Sequence, residues 1–142
     1  MEVTSIQDGI IIDHIPAGRA LSVIHFLGLD PTRTRMALIM NTRSERYGSK
    51  DIIKIEQEAT FQLDILGFVA PQASINIVKA GKIVSKRTPG RPLSLVNVIR
   101  CSNPRCVTTV EGGIDQGFHL DTTGGQPGVY RCDYCDEEAE LS

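Results

Sequence analysis

Four cysteines, Cys101, Cys106, Cys132 and Cys135, fall within the last 42 residues of a 142-residue chain, and none precedes them. Their spacing is C-x4-C, then 25 residues, then C-x2-C. Two such knuckles can present four thiolates to one ion. Zinc suits the set: it is tetrahedral, takes Zn–S bonds of about 2.3 Å, and a shell closed by four protein ligands leaves no position for water or substrate. The chemistry expected is therefore structural. Zinc contributes on the order of 10–16 kcal/mol to small metal-folded peptides, and segments below roughly 40 residues usually need such help because they bury too little apolar surface. Asn103 and Pro104, inside the first pair, favour a tight turn. Two other fates compete. Two disulfides would need an oxidising compartment, and no signal-peptide pattern opens the chain. A redox C-x-x-C normally opens a helix in a βαβ setting, whereas Cys135 is followed by Asp136, Glu137 and Glu138.

The cysteine-free part offers a different chemistry. Asp13 and His14 close a β-branched run, Lys50 and Lys54 flank another, and Lys86 and Arg87 follow a third. Residues four apart on a strand share a face, so Lys50 and Lys54 point the same way. If these strand ends adjoin, they form a basic pocket with one acceptor-rich corner, suited to a nucleoside triphosphate. Lysines would meet the phosphates as point charges, and Asp13 would accept from ribose hydroxyls. The blander readings are solvated lysines guarding a strand edge, local hydrogen bonds for Asp13-His14, and an exposed polar face for Ser74 and Asn76. No P-loop, GxGxxG or HExxH is present, and no nucleophile–base pair stands out, so catalysis is unsupported.

Charge separates the two parts. Residues 97–142 carry 3 Lys/Arg against 8 Asp/Glu, while residues 1–96 carry 12 against 9. An acidic metal lobe argues against nucleic acid, since phosphate binding relies on Lys and Arg. No apolar run approaches the roughly 20 residues of a membrane span. A cytoplasmic protein with no nucleic-acid and no membrane partner is expected.

The elements that must position these groups follow from periodicity and turn chemistry. Residues 9–16 read as a strand stopped by Pro16. Ala17 to Leu29 reads as a helix, with Ala20, Val23, Ile24 and Leu27 on one face and Gly28 at its end. Strands are expected over Arg35–Thr42 and Asp51–Glu56. A helix over Phe61–Val69 would be capped by Thr60. Strands Ala73–Val78 and Lys82–Ser85 would be joined by a hairpin at Lys79-Ala80-Gly81. The stretch 87–94, with two prolines and a glycine, reads as a linker. Beyond it, strands are expected near Val96–Arg100, Thr108–Glu111 and Val129–Cys132. The fold class is α+β: a ferredoxin-like N-terminal domain, residues 1–92, from the order β-α-β-β-α-β plus one strand, and a small all-β zinc-binding C-terminal domain, residues 93–142.

Four ordered stretches together carry a family resemblance: Ile12-Asp13-His14-Ile15-Pro16, Lys50-Asp51-Ile52-Ile53-Lys54-Ile55-Glu56, Ala70-Pro71-Gln72-Ala73-Ser74-Ile75-Asn76, and the cysteine pattern. With these the chain resembles, from about Val3 to Glu138, the regulatory chain of aspartate carbamoyltransferase, an enzyme of pyrimidine biosynthesis. The resemblance implies a non-catalytic allosteric subunit. Its N-terminal domain would bind CTP, ATP or UTP and pair with its twin, and its zinc domain would dock on the catalytic chain. It places Asp13 and Lys54 at ribose and base, and Lys86 and His14 at the phosphates. Ser74, Asn76, Val78 and Ile83 would line the pocket, Val3 and Ile6 would touch the base, and Lys50 would be a nearby phosphate-facing lysine. The family's Lys-x-Arg stands here as Lys86-Arg87-Thr88, with the arginine one place early. The alternative is a stand-alone nucleotide-sensing zinc protein with another partner.

Overall fold

A computed structural model describes residues 6–45, 48–56 and 65–140. The chain divides into two compact units, Met1–Gly90 and Arg91–Ser142. No described helix is long and apolar enough to cross a membrane.

Among its described residues the first unit is one antiparallel sheet with two helices. β1 (Gly9–Pro16) leads to α1 (Ala20–Phe26), then β2 (Met36–Ser44), β3 (Gly48–Ile55), α2 (Leu66–Val69), β4 (Ser74–Lys79) and β5 (Lys82–Arg87). The strand order is β2-β3-β1-β4-β5. Its first four strands have the split βαβ arrangement of a ferredoxin-like fold, and β5 extends the β4 edge. Alternate residues of β1, β3 and β4 fill the core: Ile10, Ile12, Ile53, Ile55 and Ile75 are buried, together with Val23 of α1 and Leu66 of α2. Phe26 and Phe68 meet edge to face at 5.9 Å.

Helix α1 is shorter than its apolar periodicity suggests, because Gly18, at φ 90°, lies outside helical space. Its end matches the expectation at Gly28. This residue adopts φ 68°, and the Gly28 and Leu29 amides donate to the carbonyls of His25 and Ile24, a Schellman closure that needs a left-handed residue. The β4–β5 hairpin turns on Ala80 and Gly81, both with positive φ, as a two-residue loop in a twisted hairpin requires. Thr60 and residues 61–64 of the expected second helix lie outside the described residues.

Strand β3 is flanked by a bulge on each side. β1 sets Asp13 and His14 against Ile52 alone, and β2 sets Met40 and Asn41 against Asp51 alone. His14 and Asn41 take positive φ, 61° and 57°. A bulge bends its strand and re-aims side chains, and here it turns the Asp13-His14 corner. Asp51, fully buried, fixes this geometry. Its Oδ1 accepts the Asn41 amide at 2.7 Å, and its Oδ2 accepts those of Gly18 and Ala20 at 2.9 and 3.0 Å. Helix α1 lacks a side-chain cap from its own N-cap residue, Arg19, so the aspartate of a distant strand satisfies the first helical amide, that of Ala20.

The second unit is a three-stranded sheet, β6 (Ser94–Val96), β7 (Gly117–Asp121) and β8 (Val129–Cys132), in the order β6-β7-β8, with one helical turn, α3 (Val107–Val110). The expected strand over Thr108–Glu111 is thus a helical turn. Its β-branched residues are overridden by the local chain path: the Thr109 and Val110 amides donate to the Cys106 carbonyl, and Glu111 donates to Val107. The strand expected near Val96–Arg100 lies earlier, and β7 was not anticipated. Phe118 and Tyr130 are buried. The Tyr130 hydroxyl donates to the Pro92 carbonyl at 2.8 Å, and the Arg91 guanidinium lies 5.0 Å from the ring centre.

Candidate metal centre and sheet-face site

The four cysteines converge from three places in the second unit. Cys101 lies in the segment after β6, Cys106 precedes α3, Cys132 ends β8, and Cys135 closes the turn after it. Their sulfurs lie within 4.8 Å of one another, with Cys101–Cys135 at 3.5 Å and Cys106–Cys132 at 3.7 Å. All four are free thiols. A disulfide needs about 2.05 Å, whereas a tetrahedron with 2.3 Å bonds separates its sulfurs by about 3.8 Å. The observed spacing fits a metal, not a bridge.

Each knuckle is wound to supply donors. Asn103 makes the turn anticipated for it, its side chain accepting the Arg105 amide at 3.0 Å and its carbonyl the Cys106 amide at 3.1 Å. The Thr108 hydroxyl lies 3.1 Å from the Cys106 sulfur and, with the Thr108 amide, draws that thiol down to about 7 against the cost of burial. Burial pushes Cys101 up to about 12, opposed by the Asn103 amide, and raises Cys132, opposed by the amides of Cys135 and Tyr134. Thiolates are the metal-binding form, so loading a dication displaces whatever protons the thiols hold. The residues present therefore fit a structural metal.

In the first unit, strand register assembles most of the expected nucleotide residues on one sheet face. Lys54 pairs with Ile11, Ile11 with Asn76, and Asn76 with Lys86, a continuous row across β3, β1, β4 and β5. Asp13 pairs with Ser74, and Val78 with Ile83, in rows on either side. Alternation puts all of these opposite the isoleucine core. Arg87 instead pairs with Ile75, whose side chain is buried in the core, so the displaced arginine belongs to the other face. Ser74 and Asn76 are buried, at 7% and 6% exposure, which overturns the exposed-polar-face reading. The Asn76 Oδ1 has no hydrogen-bond partner among the described residues. Val78 is buried and Ile83 is 60% exposed.

At the bulge, Lys50 Nζ lies 2.9 Å from Asp13 Oδ1, and His14 Nδ1 lies 3.1 Å from Ser74 Oγ. Lys50 is thus already neutralised, and Lys54 and Lys86 are the cations of the face without a described ion pair. A concavity of about 410 Å³ opens beside this corner, lined by His14, Arg43, Ser44, Glu45 and Lys50. Ile6 is buried ahead of β1, and Val3 lies outside the described residues. Arg43 and Ser44 were missed because nothing in their spacing marks them. Asp51 carried a signal: an acidic residue at an inward position of an alternating strand.

Comparison with known proteins assigns this arrangement. Residues 1–89 match the family model described as the aspartate carbamoyltransferase regulatory chain, allosteric domain. Residues 94–141 match the metal binding domain of the same chain. The aspartate carbamoyltransferase regulatory chain of Bifidobacterium longum (strain NCC 2705) is 60% identical over 141 residues, covering 99% of this chain and 100% of that protein. Those of Clostridium botulinum (strain Hall) and Clostridium tetani are 42% and 41% identical, over 96% of this chain and 92% and 94% of theirs. The allosteric-domain match covers the unit that bears the lysine row, and the metal-binding match covers the four thiols. The chain belongs to the family of aspartate carbamoyltransferase regulatory chains, non-catalytic subunits in which an allosteric domain precedes a metal-binding domain.

Proposed function

We propose that the sheet face of the first unit binds CTP, ATP or UTP and that the chain passes this binding to an aspartate carbamoyltransferase catalytic chain through its second unit, held by zinc on Cys101, Cys106, Cys132 and Cys135. The observation that carries the reading is the row Lys54–Ile11–Asn76–Lys86, which includes a buried amide oxygen with no partner among the described residues. An unpaired buried acceptor is costly, and the exocyclic amine of cytosine or adenine is a donor that satisfies it. Lys54 and Asp13 hold base and ribose; Lys86 and His14 face the phosphates; Lys50 stands behind Asp13. Ser74, Val78, Ile83 and Ile6 complete the lining. Zinc, when bound, supplies the cross-link that the small second unit lacks in apolar core, and the chain itself performs no chemistry. Two copies pair through the first unit, and the assembly works in the cytoplasm.

Calorimetry tests the site. The chain binds CTP, and Asn76→Ala lowers its affinity for CTP more than for UTP, since only cytosine offers the amine. Equal losses for both remove Asn76 from base recognition, and an absence of CTP binding by the unaltered chain sinks the site.

A further inference from the structure

We propose that Gln116, acting with Thr108, braces the wide first knuckle and thereby positions Cys101 and Cys106 for the metal. The two knuckles are unequal. Cys132 and Cys135 enclose two residues and are self-contained: amides of Tyr134 and Cys135 reach the Cys132 sulfur, and the Asp136 amide closes the turn on the Cys132 carbonyl at 2.9 Å. Cys101 and Cys106 enclose four residues, a longer loop with more freedom to lose. Something outside the loop has to fix its ends.

Gln116, just ahead of β7, reaches one end directly and the other through Thr108. Its Oε1 accepts the Cys101 amide at 3.0 Å, and its Nε2 donates to the Thr108 carbonyl at 3.4 Å. Thr108 is buried, and its hydroxyl lies 3.1 Å from the Cys106 sulfur. A continuous chain of contacts therefore runs Cys101–Gln116–Thr108–Cys106, closing the knuckle from behind. Gln116 is itself held: its amide donates to Asn97 Oδ1 at 2.9 Å, and its carbonyl accepts the Asn97 amide at 2.7 Å. With the cysteines loaded, the Thr108 hydroxyl donates to a thiolate, a charge-assisted bond stronger than a neutral one. Partners behind a metal's ligands typically carry 10–100-fold of its affinity because they hold the ligands where the ion needs them. Gln116 is a positioning residue, since it reaches no sulfur.

The proposal rests on the four cysteines holding the metal, and its test separates the two ideas. The full chain is loaded with zinc, and affinity is measured by chelator competition. A cobalt-loaded sample reports ligand geometry through its d–d and thiolate charge-transfer bands. Gln116→Met, similar in length but without the amide, and Thr108→Val, similar in shape but without the hydroxyl, should each weaken zinc binding about 10–100-fold and shift the cobalt bands. Asn97→Gly is the control. It keeps the positive φ of Asn97 and removes the hold on the Gln116 amide without touching the bridge to Cys101 and Thr108. Gln116→Met with zinc affinity within about twofold of the unaltered chain overturns the proposal. So does Asn97→Gly matching its loss of zinc at equal loss of thermal stability. Should Gln116→Met not fold with zinc, Thr108→Val decides: unchanged affinity and unchanged cobalt bands overturn the brace. An unaltered chain that takes up neither zinc nor cobalt sinks the metal reading itself, and the brace with it.

Discussion

Lys54 and Lys86 stand at opposite ends of one cross-strand row, separated by Ile11 and the buried Asn76. Three inter-strand steps of about 4.8 Å set the ends about 14 Å apart, so an extended ligand on this face would meet the two cations at different parts. Lys54→Ala should weaken CTP and cytidine alike, and Lys86→Ala should weaken CTP while leaving cytidine unchanged. Each loss is about 1.5–3 kcal/mol, as for a hydrogen bond to a charged group. Calorimetry with both ligands checks the split, and equal loss of cytidine in Lys86→Ala contradicts the assignment of ends.

Asp51 accepts three backbone amides from a fully buried position. Asp51→Ala leaves those donors without an acceptor, at about 1–3 kcal/mol each, and should destabilise the first unit by about 3 kcal/mol or more. Asp51→Asn keeps one oxygen and should cost less. Urea unfolding measures both; a loss below about 1 kcal/mol in the alanine variant would mean the clamp is idle.

Cys101→Ala removes one of the four clustered thiols from a unit with little apolar core of its own. Hydrogen exchange should show amides of β6, β7 and β8 losing protection while those of β1, β3 and β4 keep theirs. Chelation of the metal should reproduce the pattern. Loss of protection across both units would contradict their independence.

Asp121 accepts the Thr123 hydroxyl at 2.7 Å, the Thr123 amide at 2.9 Å and Arg131 Nε at 2.8 Å. The hydroxyl first, then the amide and the arginine, draw its carboxyl from the ordinary 3.8 down to about 2. Because the folded value lies below the unfolded one, the stabilisation is complete above the unfolded pKa and fades as pH falls toward the folded one. Asp121→Asn should therefore lower the melting temperature of the second unit by an amount that is flat from pH 8 to about 5 and shrinks below about 4. A gap that changes across neutral pH would contradict this origin.

What could be read from residues alone was local or periodic. Gly28 ended its helix and Ala80-Gly81 made its hairpin because each needs a positive φ that few residues tolerate. The cysteines announced their convergence by spacing. Long-range contacts left no such trace. The reach of Asp51 to Gly18 and Asn41, and of Gln116 to Cys101, depends on register and bulges that only the folded chain sets. The stretch Val107–Val110 misled because its β-branched residues favour a strand, while the turn leaving Cys106 imposes helical bonds. Strand β7 did carry a signal in the alternation of Phe118 and Leu120, too short to stand out beside the glycines around it.

Nucleotide bound on the sheet face should bias a catalytic partner. The direct test assembles the chain with the aspartate carbamoyltransferase catalytic chain of its own host and records aspartate saturation with and without CTP, ATP and UTP. A coupling of 1–3 kcal/mol, typical of allosteric sites, shifts aspartate affinity about 5–150-fold, and linkage requires the same factor in nucleotide affinity when the aspartate site is filled. At least one nucleotide should produce such a reciprocal shift. Superimposable saturation curves at saturating levels of all three, in a complex that has assembled, would contradict it.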